Sequence, residues 1–388
     1  MPGYELIGKE EQENLMDIFN TSNGVLFPHG FDALRNNRYR VREFEKKFAE
    51  KLEVKYAQAV TSGTVAQIVA MLALGIKPGD EVITQAFTFV ATVETIIAIG
   101  ATPVIVDVDE TYNMDPDELK KAINSKTKLI IPVHMLGNTA KMEEILEIAS
   151  QHNIPVLEDS CEALGAKYNN KWAGTLADVG IYSLDFGKTI TTGEGGMIVT
   201  NNENIYKFCK EYHDHGHENN PNLPRGRDTR TIVGLNYRMN EMQGAVGMAQ
   251  LEKLDYIVAQ NRKNKTHLKS NIISDKIVFR ELTSQDGDLA DTLIFNFQNS
   301  ELANQFVQAL KPHALGTKNI PDAIDWHFSG TWNHMFNDVP AYKNSWTTEW
   351  KKTADLLYRS VALPINVKST TEQLDHQIHI INQILNQL

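Results

Sequence analysis

The sequence predicts an α/β protein: a mostly parallel sheet in a large domain, followed by a smaller α+β domain. Three observations carry this expectation. Short β-rich runs alternate with helical patterns from about Val54 to Thr200. Those runs are continuously apolar rather than alternating, as strands covered on both faces must be. Towards the C-terminus the regular tempo gives way to mixed strands and helices.

The elements follow in order. KYAQAV is strand-like and leads into the helical TVAQIVAMLALGI; DEVIT leads into TFVATVETIIAIG, and TPVIVDVD into PDELKKAI. KLIIPVH precedes AKMEEILEIASQH, and IPVLED and MIVTN read as further strands. A long helical pattern begins at MNEMQGAVGMAQLEKL and is rich in good helix formers, so it is suited to bridging two domains. Beyond it, IVFREL and TLIFNFQ read as strands, and ELANQFVQAL and EQLDHQIHIINQIL as helices. The expected division is a large domain over residues 1–265, including an N-terminal segment, and a small domain over 266–388.

Composition sets limits. With 42% hydrophobic and 22% charged residues, the chain has ample material for a core and is not of disordered type. Against 49 acidic residues stand 38 basic ones, a net charge of -11, which argues against a nucleic-acid surface and requires any anion site to be local. Cys161 and Cys209 lack metal or disulfide spacing and suit a reducing compartment. The segment MPGYELIGKEEQENL has neither the basic nor the apolar region of a signal peptide. No apolar run approaches the roughly 18 residues of a membrane span. A cytoplasmic protein is expected.

Ligands of α/β sheets collect beyond the carboxyl ends of strands. Three such ends are chemically distinctive. Thr61-Ser62-Gly63-Thr64 enters a helix directly, which fits either a capped turn or a phosphate cradle. Asp159 follows the apolar IPVL and suits either a capping acid or the partner of a protonated ring nitrogen. In YSLDFGKTITTGEGGMIVT, Lys188 sits among Gly187, Gly193, Gly195 and Gly196, five residues after Ser183. It is either a solvated loop lysine or an amine whose desolvation lowers its pKa enough for a Schiff base. A lysine, an acid and a phosphate cradle are together what pyridoxal 5'-phosphate needs.

The order SGT, TFVAT, EDS, YSLDFGKTITTGEGG, GLNYRMNEMQGAVG resembles the DegT/StrS-type sugar aminotransferases over roughly residues 5 to 270. The resemblance implies a vitamin B6 enzyme of the aspartate aminotransferase (type I) fold. It also implies a homodimer with active sites at the subunit boundary. Lys188 then matches the Schiff-base lysine and Asp159 the partner of the pyridine nitrogen. Phe89 matches the aromatic ring stacked on the cofactor, and Gly63, Thr64 and Ser183 the phosphate cradle. Asn236 matches an asparagine that reaches the phosphate from the neighbouring subunit. Glu162 departs from the pattern, since the family more often has glutamine or histidine there beside the cofactor ring. The family's dehydratase branch carries histidine in place of the lysine, so Lys188 favours transamination.

The implied chemistry is ping-pong transfer from L-glutamate to a keto sugar, with no metal. The segment YHDHGHENNPNLPRGRDTR concentrates His215, Arg225, Arg227 and Arg230 on a loop, either a solvated basic loop or one that reads an anionic substrate. The phrases MPGYELIGKEE, VHMLG, DHGH and RKNK resemble most the branch that aminates C8 of 3-deoxy-octulosonate, a lipopolysaccharide sugar acid. The alternatives are a nucleotide-linked 4-keto-6-deoxyhexose as substrate, or a non-catalytic regulatory relative.

Overall fold

The computed structural model describes residues 3–220, 222–337, 339, 342 and 349–388. Twelve strands lie among them. They are β1 (Tyr56–Val60), β2 (Glu81–Gln85), β3 (Thr102–Val106), β4 (Thr127–Ile130), β5 (Leu157–Asp159), β6 (Lys167–Tyr168) and β7 (Lys171–Trp172). Then come β8 (Val179–Ser183), β9 (Gly196–Thr200), β10 (Ile277–Phe279), β11 (Thr292–Phe297) and β12 (Ser360–Pro364).

The helices in the first part of the chain are α1 (Lys9–Thr21), α2 (Arg40–Lys51), α3 (Gly63–Ala73), α4 (Ala91–Ala98), α5 (Pro116–Ala122), α6 (Met142–His152) and α7 (Glu203–Tyr212). Later come α8 (Glu241–Asn271), α9 (Ser300–Leu310), α10 (Ile324–His327), α11 (Asn333–Phe336), α12 (Lys351–Tyr358) and α13 (Thr371–Gln387).

The central sheet is assembled from two ladders. β2 pairs in parallel with β3 and β4, while β5 pairs in parallel with β8. Parallel bridges Ile130↔Val156 and Val133↔Asp159 join the ladders, so the order is β3-β2-β4-β5-β8-β9-β1. β9 alone runs antiparallel, to both β8 and β1. Helices cover both faces, as the apolar strands require. On one face Ala66, Val69, Val93 and Ile96 of α3 and α4 pack with Val82 and Leu157. On the other, Phe44 and Phe48 of α2 and Leu251 and Leu254 of α8 pack with Val199 and Met197. Burying each phenylalanine contributes roughly 1.5–3 kcal/mol.

Local chemistry fixes where these helices begin. Ser62 caps α3 by accepting from Val65 N at 3.1 Å, and Asp115 caps α5 ahead of Pro116. Asn240 and Gln243 form a reciprocal capping box at the start of α8. That helix runs for 31 residues, joining the large sheet's core through Leu254 and a second core through Leu268. The second core lies under the antiparallel sheet β10-β11-β12, against α9 and α13. The expected boundary at 265/266 falls inside α8.

The chain between these late elements returns to the large sheet. Ile320, Phe328, Trp332 and Phe336 share the apolar cluster of Phe87 and Val90. Backbone bonds Thr88 N to His327 O (2.9 Å) and Val90 N to Trp326 O (2.8 Å) fasten this return to the β2–α4 loop.

Candidate active site

Strand register gathers the predicted groups at one edge of the sheet. Asp159, the last residue of β5, pairs across to Ile181 of β8, and Ser183 ends β8 two residues later. Successive strand residues point to opposite faces, so Glu158 and Asp159 have different fates. Glu158 is consumed structurally, accepting from Leu176 N, Ala177 N and Gly174 N at 2.6–2.8 Å and pairing with His134 at 3.0 Å. Asp159 turns the other way. Its Oδ2 accepts from Thr92 Oγ1 at 3.0 Å and its Oδ1 from Cys161 N at 3.0 Å. The carboxylate is held rigidly and keeps lone pairs for a ligand.

Beyond β9, at the end of β1, α3 opens its N-terminus into the same region, with Gly63 against Ser183. The first N–H groups of a helix lack intrahelical acceptors, and Ser62 Oγ takes only that of Val65, leaving those of Gly63 and Thr64 for an anion. A Cβ on Gly63 would lie 2.9 Å from Ser183 Cβ and 3.1 Å from Cys161 Sγ, so only glycine leaves this cradle open. Gly196 is required for a similar reason, because a Cβ there would meet Ser62 O at 2.2 Å. Thr64 is exposed at the mouth, and Ser183 is buried, with Oγ accepting from Asp185 N at 3.3 Å.

Lys188 lies in the turn after β8, its side chain 15% exposed and its Nζ 3.5 Å from Glu162 Oε1. Burial pushes the ammonium's pKa down, but the Glu162 carboxylate and the acids behind it reverse the sign, so the net shift is upward. The expectation that desolvation lowers this pKa is corrected by that carboxylate. For Glu162 burial pushes up, and Lys188 and His327 together outweigh it, holding the carboxyl well below the usual carboxylate range. His327 Nε2 stands 3.7 Å from the same Oε1.

Phe89 is 39% exposed in the β2–α4 loop. It stacks on Trp326 with centroids 6.2 Å apart and faces the His327 ring at 5.4 Å. Ring placement beside the Lys188–Asp159 edge suits covering a flat ligand. These residues fit pyridoxal phosphate: an anion cradle that a Cβ would fill, a fixed buried acid, a largely buried amine and an aromatic cover.

Sequence reasoning did not find His327 or Thr92. His327 is distant from Glu162 in sequence, and only the fold brings it across.

The loop residues are placed differently. Arg225 is not free, because both its terminal nitrogens bond Asp214 at 2.6 Å, where Arg238 also binds at 2.6 Å. Arg227, Arg230 and His215 are exposed, and Asn236 is exposed opposite Asp214 in an isolated bridge. Among the described residues, no hydrogen bond or ion pair joins these five to Lys188, Asp159 or Glu162. Pro221 in the loop lies outside the described residues.

A family model described as the DegT/DnrJ/EryC1/StrS aminotransferase family matches residues 32–382. GDP-perosamine synthase of Escherichia coli O157:H7 is 42% identical over 243 residues, 62% of this chain and 65% of that enzyme. The chain thus spans less than two thirds of the length of the GDP-perosamine synthases it matches, 58 to 65%. Among solved structures, 3-amino-5-hydroxybenzoic acid synthase superposes with a TM-score of 0.85 at 27% identity, covering 100% of this chain and 99% of that one. A GDP-4-keto-6-deoxymannose-3-dehydratase with a trapped PLP-glutamate geminal diamine superposes at 0.81 and 25% identity, covering 97% and 98%.

Proposed function

The chain belongs to the DegT/DnrJ/EryC1/StrS aminotransferase family, and from that premise we propose a pyridoxal 5'-phosphate-dependent aminotransferase that moves an amino group from L-glutamate to a keto sugar. The observation that carries this reading is the convergence of Lys188, Asp159 and the N-terminus of α3 at one sheet edge.

When bound, the cofactor supplies an aldehyde for the amine and a ring that takes up electron density. The protein's own residues do the rest. Gly63 N–H, Thr64 N–H and Ser183 would hold the phosphate, and Phe89 would cover a ring face. Asp159, oriented by Thr92 and Cys161 N, would hold a proton on the ring nitrogen. Lys188 Nζ is the base and acid that carries a proton between the reacting carbons. Glu162 stabilises its charged form.

For the sugar we favour 8-keto-3-deoxy-octulosonate, giving the 8-amino-3,8-dideoxy sugar for lipopolysaccharide, because exposed Arg227 and Arg230 beside the DHGH segment suit a substrate carboxylate. The names of the similar enzymes support a second substrate, a GDP-linked 4-keto-6-deoxyhexose. Exposed Val233 and Leu235 beside Asn236 support a homodimer sharing its sites. No described helix is long and apolar enough to cross a membrane, and we assign the reaction to the cytoplasm.

The test is spectroscopic. Glutamate should convert the cofactor's absorbance to that of pyridoxamine phosphate, and each keto sugar should be tried for restoring it. No conversion by glutamate overturns the amino donor; restoration by neither sugar overturns both substrates.

A further inference from the structure

Glu162 stands between an amine and an imidazole. Its Oε1 lies 3.5 Å from Lys188 Nζ and 3.7 Å from His327 Nε2, and both Glu162 and His327 are buried. Its Oε2 is oriented by Leu136 N at 3.4 Å. The tautomer of His327 follows from its other nitrogen. Nδ1 is 2.7 Å from the Ala323 carbonyl oxygen, which can only accept, so Nδ1 carries a hydrogen. A neutral ring would then aim the Nε2 lone pair at the carboxylate. The contact is attractive only with a proton on Nε2 as well.

Resting on the aminotransferase reading, we propose that Glu162 and His327 form a positioning pair for Lys188, the carboxylate being shared between ammonium and imidazolium so that the pair sets the lysine's ionisation. A buried carboxylate that loses its only cation is strongly destabilised. With Lys188 neutral, His327 remains as the carboxylate's partner. The other charged or titratable groups facing the trio are Lys318, which is paired to Asp291 at 2.6 Å, and Asp159, Asp185 and the Cys161 thiol. None of these others makes an ion pair with Glu162 among the described residues.

The test uses the full chain stripped of cofactor and the rate at which cyanate carbamylates Lys188, read by peptide mass spectrometry at pH 8. Cyanate reacts with the neutral amine, and one unit of pKa is tenfold in its population. In Glu162→Gln the lysine should react about tenfold faster, because an opposite charge at this distance is worth roughly 1–3 units. In His327→Gln, which leaves Glu162 entirely to Lys188, it should react several-fold slower. A merely loosened site would speed both variants, so changes of the same sign, or an unchanged rate in Glu162→Gln, overturn the pair. If Glu162→Gln does not fold, the sign of the His327→Gln change decides alone. The probe needs no cofactor, so failure of the glutamate half-reaction would overturn the aminotransferase reading while opposite signs still upheld the pair.

Discussion

Thr92 donates its hydroxyl to Asp159 Oδ2 at 3.0 Å, inside the buried N-terminal turn of α4. Thr88 extends the chain at 2.8 Å. Replacing Thr92 with Val keeps the shape and removes the donor, so one carboxylate oxygen loses its partner at a cost of about 1–2 kcal/mol. Cofactor affinity, measured by titrating the stripped protein with pyridoxal phosphate, should fall roughly tenfold, and the melting temperature should fall as well.

Gly63→Ala should weaken the cofactor more. The added methyl meets Ser183 Cβ at 2.9 Å and Cys161 Sγ at 3.1 Å, closing the cradle from within. Because Ser183 Cβ and Cα are fixed to the backbone of β8, relief requires moving β8 or α3 whatever the Cys161 thiol does. We expect a loss of at least about 100-fold in cofactor affinity, or roughly 3 kcal/mol, read by the same titration.

Arg35 and Glu241 form a fully buried ion pair at 2.5 Å, with Glu241 also accepting from Arg40 N at 2.6 Å. Arg35 in turn donates to the carbonyls of Phe27 and Arg38 at 2.7 Å, tying down the segment before α2. Removing one partner strands the other charge. Glu241→Ala should therefore lower stability by about 3–5 kcal/mol, seen as a lower denaturant midpoint.

Acid should destabilise the fold before the carboxylates titrate. Burial pushes His29 down to about 4, with Arg225 adding to it, and pushes His213 down to about 4 as well. Both are neutral when folded and bind protons more readily when unfolded, so stability is full above pH ~6.5 and is lost as pH falls towards 4. His213 contributes on the order of 3 kcal/mol across that window, and His29 less, because solvent screens it. Denaturant midpoints measured from pH 7.5 to 4 should decline, and His29→Gln should flatten the slope.

Arg227 and Arg230 are exposed, whereas Arg225 is committed to Asp214. If the loop reads the substrate carboxylate, Arg227→Ala with Arg230→Ala should raise KM for the keto sugar about tenfold or more and leave the glutamate half-reaction untouched. Steady-state kinetics with both substrates varied would show it. Arg225→Ala should instead lower stability by leaving Asp214 to Arg238 alone, read from the denaturant midpoint.

Much of this was legible because the strands of the large sheet are apolar runs followed by capped helices. The Lys188 turn, the Asp159 strand end and the Gly63 helix start announce themselves through local residue types. What stayed hidden depends on partners distant in sequence. α2 carries Val41, Phe44 and Phe48 at helical spacing, but charged residues between them mask the pattern. The reversed direction of β9 leaves no mark in GMIVT, since pairing sense is decided by the neighbour. His327 reaches Glu162 only because the chain after β11 returns to the large sheet. Asp214 gave no sign that it would sequester Arg225.

α8 ties both hydrophobic cores to one continuous rod, with Leu254 in the first and Leu268 in the second. A cut at 265/266 would divide its last turns between two fragments. One fragment would keep Glu241–Lys265 and the other only Thr266–Asn271, each without the packing that the rest of the helix supplies. The two regions are therefore poor candidates for separate expression, and a circular permutant opened within α8 would lose cooperativity in both at once.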